Sequence, residues 1–597
     1  MKKTLRFFCM AALALVSAVL TGCSGSDDNI TGKPQQPANT DNVVTLTTTI
    51  SLDGSAAATR ALTSGGVKTF AAGERMALVY KNTGGTTVKV ESAALKTTDI
   101  TDGGKSGTFT FNLTNPDETQ PVTYIYPAAM ANADGTVSYA ALSAQDGTLT
   151  TLSSNLDLAT YTAAWNGASL PEATLDNQLA ILALTLKNDA TGADITGSIT
   201  GLTLSDGTNS YAVTRPAAAG PIYVAIRPTS SASITVTATD GSYNYSKSLT
   251  GKTYAASNIY NLGWRMTNVT PLTMEALTDG TIVVSNPKSG MQYSLNGGAK
   301  TAMTETTTIN VSKGDKVQFY GKGTDISQYG GNKYSESTSI YGGSAEVKAY
   351  GNIMSLMDET GFATNTTLLA EYAIAFLFYM NDKLKDASGL LLPATTLTNS
   401  CYKALFYECT SLTAAPALPA KNLDDNCYIR MFYGCTSLTT APALPATTMK
   451  QSCYEKMFYG CTSLTTAPAL PATKLVYDCY LGMFSGCTSL TTAPSLPAKT
   501  LSNYCYKSMF SGCTSLTTAP TLPAKTLLSE CYYSMFNGCT KLRAVTCLAT
   551  NISASNCTSY WVYGVAESGT FTTPSSTNWE IDSPNGIPSG WTRLNAQ

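Results

Sequence analysis

The chain has 597 residues, no histidine, a net charge of −2 and only 13% charged residues. That length amounts to several domains. Without an imidazole, Ser-His-Asp and Cys-His nucleophile systems and histidine-ligated metal sites are excluded, and the near-neutral balance argues against a nucleic-acid binder, which needs an excess of basic residues on one face.

Lys2 and Lys3 precede an apolar run of 14 residues, Phe7 to Leu20. This is too short to span a bilayer and suits the centre of a secretion signal, giving a signal peptide over residues 1–22. The run ends in Leu20-Thr21-Gly22-Cys23, which resembles the lipobox of bacterial lipoproteins. The resemblance implies that Cys23 becomes an acylated N-terminus, anchored because each buried methylene adds about 0.8 kcal/mol. Asp27 and Asp28 just after it resemble the acidic export tag of surface-exposed outer-membrane lipoproteins. Residues 23–42, with Pro34 and Pro37, read as a lipidated tether. No later apolar stretch is long enough to cross a membrane, so the lipid is the only membrane contact expected.

From residue 43 to 267 short alternating runs are bounded by turn residues, as in Pro221-Ile222-Tyr223-Val224-Ala225-Ile226 and Ile234-Thr235-Val236-Thr237-Ala238. Asp134-Gly135, Asp206-Gly207 and Asp240-Gly241 mark turns between them. The pattern predicts two β-sandwiches, residues 43–150 and 151–267. Gly66-Val67-Lys68-Thr69-Phe70, Thr123-Tyr124-Ile125-Tyr126-Pro127, Gly220-Pro221-Ile222-Tyr223-Val224-Ala225 and Asn258-Ile259-Tyr260-Asn261-Leu262 resemble the fimbrillin-like family of pilin-type lipoproteins. The resemblance implies proteolytic cleavage after an early-loop arginine, and Arg60 sits in a comparable place. A solvated loop arginine is the alternative. Some 330 residues follow the second sandwich, which favours a tip or stand-alone protein over a shaft subunit.

Residues 268–350 read as a small β module. In it Thr308-Ile309-Asn310-Val311 and Lys316-Val317-Gln318-Phe319 flank the turn Ser312-Lys313-Gly314-Asp315 as a hairpin.

The strongest pattern is a repeat. Cys401, Cys427, Cys453, Cys479, Cys505, Cys531 and Cys557 are spaced by 26 residues without an insertion. Such a period predicts one unit stacked on itself, here a solenoid over residues 351–565 closed by a cap at 566–597. Each unit is expected to hold a short parallel strand, as at Thr462 to Ala467, ended by prolines such as Pro468 and Pro471. A short helical return would place residues such as Met457 and Phe458 inside. Residues 365–400 read as a degenerate first turn, and Trp579 to Trp591 as the aromatic end. Met-Phe-x-Gly-Cys-Thr-x-Leu, Leu-Pro-Ala and the ending Gly586-Ile587-Pro588-Ser589-Gly590-Trp591 resemble the BspA-like leucine-rich-repeat surface proteins. That resemblance implies adhesion or host and matrix binding; the period itself implies only a solenoid.

Six turns carry Cys-x7-Cys: Cys401/Cys409, Cys427/Cys435, Cys453/Cys461, Cys479/Cys487, Cys505/Cys513 and Cys531/Cys539. The first turn has neither cysteine. The last has Cys557 with Val565 at the second position, while Cys547 appears ten residues earlier. Both-or-neither suggests disulfides within turns, which an exported protein can keep. The competing reading is a ladder of buried thiols, since eight helical residues rise too far for a disulfide.

Ser411, Thr413, Ser437, Thr439, Thr440, Ser463, Thr465, Thr466, Ser489, Thr491 and Thr492 would form a uniform hydroxyl face. Tyr402, Tyr428, Tyr454, Tyr480, Tyr506 and Tyr532 would form a second row, either stacking on sugars or buried with the hydroxyl satisfied. Ser285-Asn286-Pro287-Lys288 matches Ser-x-x-Lys spacing, but Pro287 disfavours the helical turn that the motif needs. No catalytic, cofactor or metal site is expected, and the chain is read as no enzyme.

The sequence therefore describes a mainly β protein: two tandem β-sandwiches, a small β module and a leucine-rich-repeat solenoid with 26-residue turns. The function expected is that of a lipid-anchored outer-membrane protein exposed at the cell surface, an adhesin or fimbrial tip component. Its partners would be a host or matrix protein or glycan, with fimbrial subunits as a further class. The alternative is a surface glycan-binding lipoprotein for nutrient capture.

Overall fold

The structure is a computed structural model describing residues 42–52, 69–167, 169–326 and 334–596. The signal, the tether with Cys23, and Arg60 lie outside the described residues. Among the described residues no helix is long and apolar enough to cross a membrane.

The first sheet has eight strands: β1 (Val43–Leu52), β2 (Ala77–Lys81), β3 (Thr87–Glu91), β4 (Ile100–Thr101), β5 (Ser106–Thr114), β6 (Val122–Tyr126), β7 (Ala159–Ala163) and β8 (Ala173–Asn177). Their order is β3-β2-β6-β7-β8-β1-β5-β4. The period-two pattern of β5 buries Phe109, Phe111 and Leu113 and turns Thr108, Thr110 and Asn112 outward or to the margin. Phe111 meets Tyr124 of β6 at 6.4 Å, and Phe70 packs edge-on against both Phe109 and Tyr126. Strands distant in the sheet order thus share one core, so the sheet folds back on itself.

The second sheet holds β9 (Ala180–Asn188), β10 (Gly201–Ser205), β11 (Ser210–Thr214), β12 (Ile222–Ile226), β13 (Thr229–Thr239), β14 (Asn244–Tyr254) and β15 (Ile259–Asn268). They are ordered β11-β10-β13-β14-β15-β9-β12. Asp206-Gly207 and Asp240-Gly241 join antiparallel neighbours, each with its glycine at φ 89°. The expected division at 150/151 is displaced: β7 and β8 complete the first sheet, while Leu142, Leu152 and Leu156 pack into the core of the second. The chain crosses between the two bodies before returning, and composition carries no mark of that.

The module contains β16 (Thr273–Ala276), β17 (Gly280–Ser285), β18 (Gln292–Leu295), β19 (Thr301–Ala302), β20 (Thr307–Val311), β21 (Lys316–Tyr320), β22 (Ser339–Ile340), β23 (Val347–Asn352) and β24 (Leu384–Leu391). The turn at Ser312–Asp315 is present, with Gly314 at φ 93°. The hairpin is not. β20 pairs with β17, whereas β21 pairs with β16 and β18, so the turn arches between two sheets. Alternation is the same in a hairpin and an arch, which is why the pattern could not separate them. The module's core runs without a break into the repeats, from Leu272 to Trp591.

In the repeats, alternate N–H groups do two jobs. Tyr454, Lys456, Phe458 and Gly460 donate to Cys479, Leu481, Met483 and Ser485 of the next turn, while Glu455, Met457, Tyr459 and Cys461 donate three residues back. Each return segment is therefore a run of β-turns. Left-handed residues recur every fourth position, as at Ser452, Lys456 and Gly460. The expected helical return is corrected, because a helix would spend those N–H groups internally.

The expected strand is reduced to single parallel bridges such as Thr440↔Thr466↔Thr492. Prolines on its C-terminal side remove the donors a longer ladder needs. Longer parallel pairing occurs at the two ends, between β23 and β24 at the start and in a three-stranded sheet of β25 (Ala544–Thr546), β26 (Gly569–Thr573) and β27 (Trp591–Asn595) at the finish.

Inside the coil, Phe406, Phe432, Phe458, Phe484, Phe510 and Phe536 stack at 5.3–5.7 Å, within 10° of parallel. The first turn joins through Phe378, 5.4 Å from Phe406. Trp561 closes this column and, with Trp579 and Phe571, covers the end of the core.

Candidate binding surfaces of the repeats

All fourteen repeat cysteines are free and buried, so the expected pairing within turns is not what the structure holds. They form two separate columns. In the second, the thiols of Cys409, Cys435, Cys461, Cys487, Cys513 and Cys539 donate to the carbonyls of Phe378, Phe406, Phe432, Phe458, Phe484 and Phe510 at 3.0–3.1 Å. A disulfide would take that donor from a buried carbonyl. Burial pushes Cys461 and Cys539 up to about 12, so these thiols stay protonated and unreactive. Cys547 and Cys557 are buried with them, and Cys557 donates to the Ile552 carbonyl.

The expected tyrosine row is inside. Tyr402, Tyr428, Tyr454, Tyr480, Tyr506 and Tyr532 are at most 2% exposed. Those from Tyr402 to Tyr506 stack at 5.8–5.9 Å. The hydroxyls of Tyr402, Tyr454 and Tyr480 are buried without a hydrogen-bond partner among the described residues. These rings are core, unavailable to a ligand.

The exposed aromatic column lies five residues further on. Tyr379, Tyr407, Tyr433 and Tyr459 stack at 4.9, 4.6 and 4.7 Å, within 13° of parallel. They are half-buried on the turn face, near Glu408 and Arg430. Arg430 pairs with Glu455 at 3.6 Å. This position is the unspecified residue in Met-Phe-x-Gly-Cys: it is tyrosine through Tyr459 and then changes to Ser485, Ser511 and Asn537, while the phenylalanine before it stays constant. That variation was the available signal for a surface site.

Two further tracks run along the coil. On the first, Thr436, Thr462, Thr488 and Thr514 donate to the carbonyl of the equivalent residue one turn back at 3.2–3.5 Å, and Thr465 donates to Thr439. Part of the hydroxyl face is thus internal scaffolding that replaces missing strand bonds, while Thr440, Thr466 and Thr492 are exposed. The second is a shallow apolar track on the Ala-Pro-x-Leu-Pro segments. It has open hollows of about 390 Å³ at Ala467, Leu470, Pro471 and Pro494 and about 490 Å³ at Pro416, Leu418, Pro419 and Pro442.

Ser285 ends β17, and Lys288 is ion-paired with Asp325, so the Ser-x-x-Lys spacing builds no nucleophile pair. Among the described residues no cluster of three cysteine, aspartate or glutamate side chains is placed to hold a metal.

No protein-family model matches the chain. No curated protein matches it either. Among solved structures, the chain is similar to a fimbrial assembly protein from Parabacteroides distasonis, with 12% identity over 37% of this chain and 91% of that one and a TM-score of 0.23. It is also similar to a protein described as a candidate cell adhesion protein from Bacteroides fragilis, with 13% identity over 44% and 93% and a TM-score of 0.23. Likenesses this weak establish neither family nor activity, and the functional reading rests on the chain's own residues.

Proposed function

We propose that the chain is a lipid-anchored surface protein of the outer membrane, an adhesin or fimbrial accessory component, that presents the repeat coil as its contact surface. The BspA-like resemblance of the repeats and the fimbrillin-like resemblance of the first two sheets support this reading. Leu20-Thr21-Gly22-Cys23 supplies the anchor, and the two sheets and the module set the coil off from it. The observation that carries the proposal is the continuity of the coil's outer faces. Turn after turn the hydroxyl and Ala-Pro-x-Leu-Pro tracks present the same kinds of side chain, an arrangement suited to an extended partner such as a host or matrix protein or glycan. In a fimbrial setting, cleavage after Arg60 would sever the connection beyond β1, the strand held between β5 and β8.

The test joins display to binding. Mass spectrometry of the mature protein should find acylated Cys23 at the N-terminus, and intact cells should label with a membrane-impermeant biotin reagent. Cells lacking the protein should bind less to immobilised matrix. A mature chain retaining residues before Cys23, or one shielded from the reagent, contradicts the reading.

A further inference from the structure

We propose that the middle of the coil's turn face is a recess for a neutral glycan chain, with Tyr459 and Tyr563 as its aromatic ends. This deepens the binding role proposed above and rests on it. The inner rings Phe458, Phe484, Phe510 and Phe536 stack without interruption at 5.7 Å, so the turns superpose throughout. The outer column does not continue. After Tyr459 its positions are Ser485, Ser511 and Asn537, and a ring returns only at Tyr563, which is 58% exposed.

The neighbouring column shrinks over the same turns, from Lys456 to Gly482, Ser508 and Ser534, before Tyr560 at 51% exposure. Three turns of small residues thus lie between two aromatic walls. Four steps at strand-like spacing make the recess roughly 19 Å long.

Its chemistry selects the ligand. The side chains of Ser485, Ser511 and Asn537 are in no hydrogen bond among the described residues and combine donors with acceptors; Ser485 is only 9% exposed, and Ser511 and Asn537 are half-buried. Beyond the far wall, an open hollow of about 240 Å³ is lined by Tyr563, Glu567, Asp582 and Ser583. A pyranose has an apolar C–H face for a tyrosine ring and a rim of hydroxyls for such groups. A peptide could not add here as a strand. Phe484, Gly486, Gly512 and Gly538 already donate to the next turn, at Met509, Ser511, Asn537 and Tyr563. A strongly charged polymer is not favoured, because Lys507 alongside is neutralised by Glu530 at 2.6 Å.

The full chain should be titrated with cellohexaose, maltohexaose and mannohexaose by calorimetry. At least one hexaose should bind, and Tyr563→Ala should weaken it at least tenfold. Ser511→Tyr, which extends the outer ring column into the recess, should do the same. Tyr341→Ala, at an exposed tyrosine of the small β module, should stay within twofold of the parent. The Tyr563 side chain is mostly solvent-exposed, so its removal keeps the test valid if the Ser511 variant misfolds. Failure of all three hexaoses to bind, or unchanged binding by Tyr563→Ala, overturns the proposal. If cells still adhere through the coil in that case, the glycan assignment falls while the adhesive role stands.

Discussion

The curled sheets and the repeat coil solve the same burial problem by opposite means. In the first sheet Phe70, Phe109, Phe111, Tyr124 and Tyr126 each meet a different set of neighbours, and partners come from strands far apart in sequence. In the coil each ring meets its own copy one turn away, and the backbone bonds repeat with it. The first arrangement makes every residue particular. The second makes stability a sum of equal interfaces and frees the surface positions to vary without disturbing the core.

The comparison is broken most sharply by thiol chemistry. The coil is held by packing and by thiol–carbonyl bonds, so its fourteen cysteines should resist a thiol reagent in the native protein and all react on unfolding. Disulfide-linked peptides in a native digest would replace one column of the packing argument with covalent bonds.

Equivalence of turns is next. Phe432→Ala, Phe458→Ala and Phe484→Ala should each cost about 3–5 kcal/mol and agree with one another within about 0.5 kcal/mol in urea unfolding. Phe109→Ala, in the first sheet, has no reason to share their value. A spread among the three coil variants as wide as that between coil and sheet would end the nearest-neighbour picture.

A smaller effect concerns the left-handed positions. Gly512 has φ 74°, and an added Cβ would lie 3.7 Å from Gly486, ordinary contact. Gly512→Ala should therefore cost only the conformational penalty, about 1–2 kcal/mol. Lys456, at φ 51°, stands where the next turn uses Gly482. Lys456→Gly should be neutral or stabilising by less than about 1 kcal/mol.

The smallest effect is on pH. Burial and the nearby Glu455 carboxylate push Asp478 up to about 6. A carboxyl raised in the folded state contributes fully below about pH 4, and its contribution is lost as pH rises through 6. Asp478→Asn should thus match the parent at pH 4 and exceed it at pH 8, by less than about 1 kcal/mol since the half-buried group is still screened by solvent. A gain at pH 4 instead would reverse the sign.

Periodicity made the coil legible. Seven cysteines at one spacing located its register, Leu464 and its equivalents are fully buried, and the aromatic end closes the core. Local geometry was not legible. Met457 and Phe458 point inward in a helix and in a run of turns alike, and only the left-handed residues at Ser452, Lys456 and Gly460 tell them apart. Tyr454 and Tyr459 illustrate the same limit for the surface. Both are tyrosines repeated in the preceding turn, as Tyr428 and Tyr433, yet one is core and the other is on the turn face. The change of identity at the second position, from Tyr459 to Ser485, was the more informative signal, because a stacked interior tolerates little variation and an outer position is free to vary.

The central claim is that the coil makes contact while the sheets hold it out. It is tested most directly by displaying residues 1–271 and the full chain on cells at matched surface density, scored by antibody against the first two sheets. Both populations are then applied to immobilised matrix and hexaose surfaces. Equal display is expected, with binding confined to cells carrying the full chain. Equal binding by the two populations would contradict it.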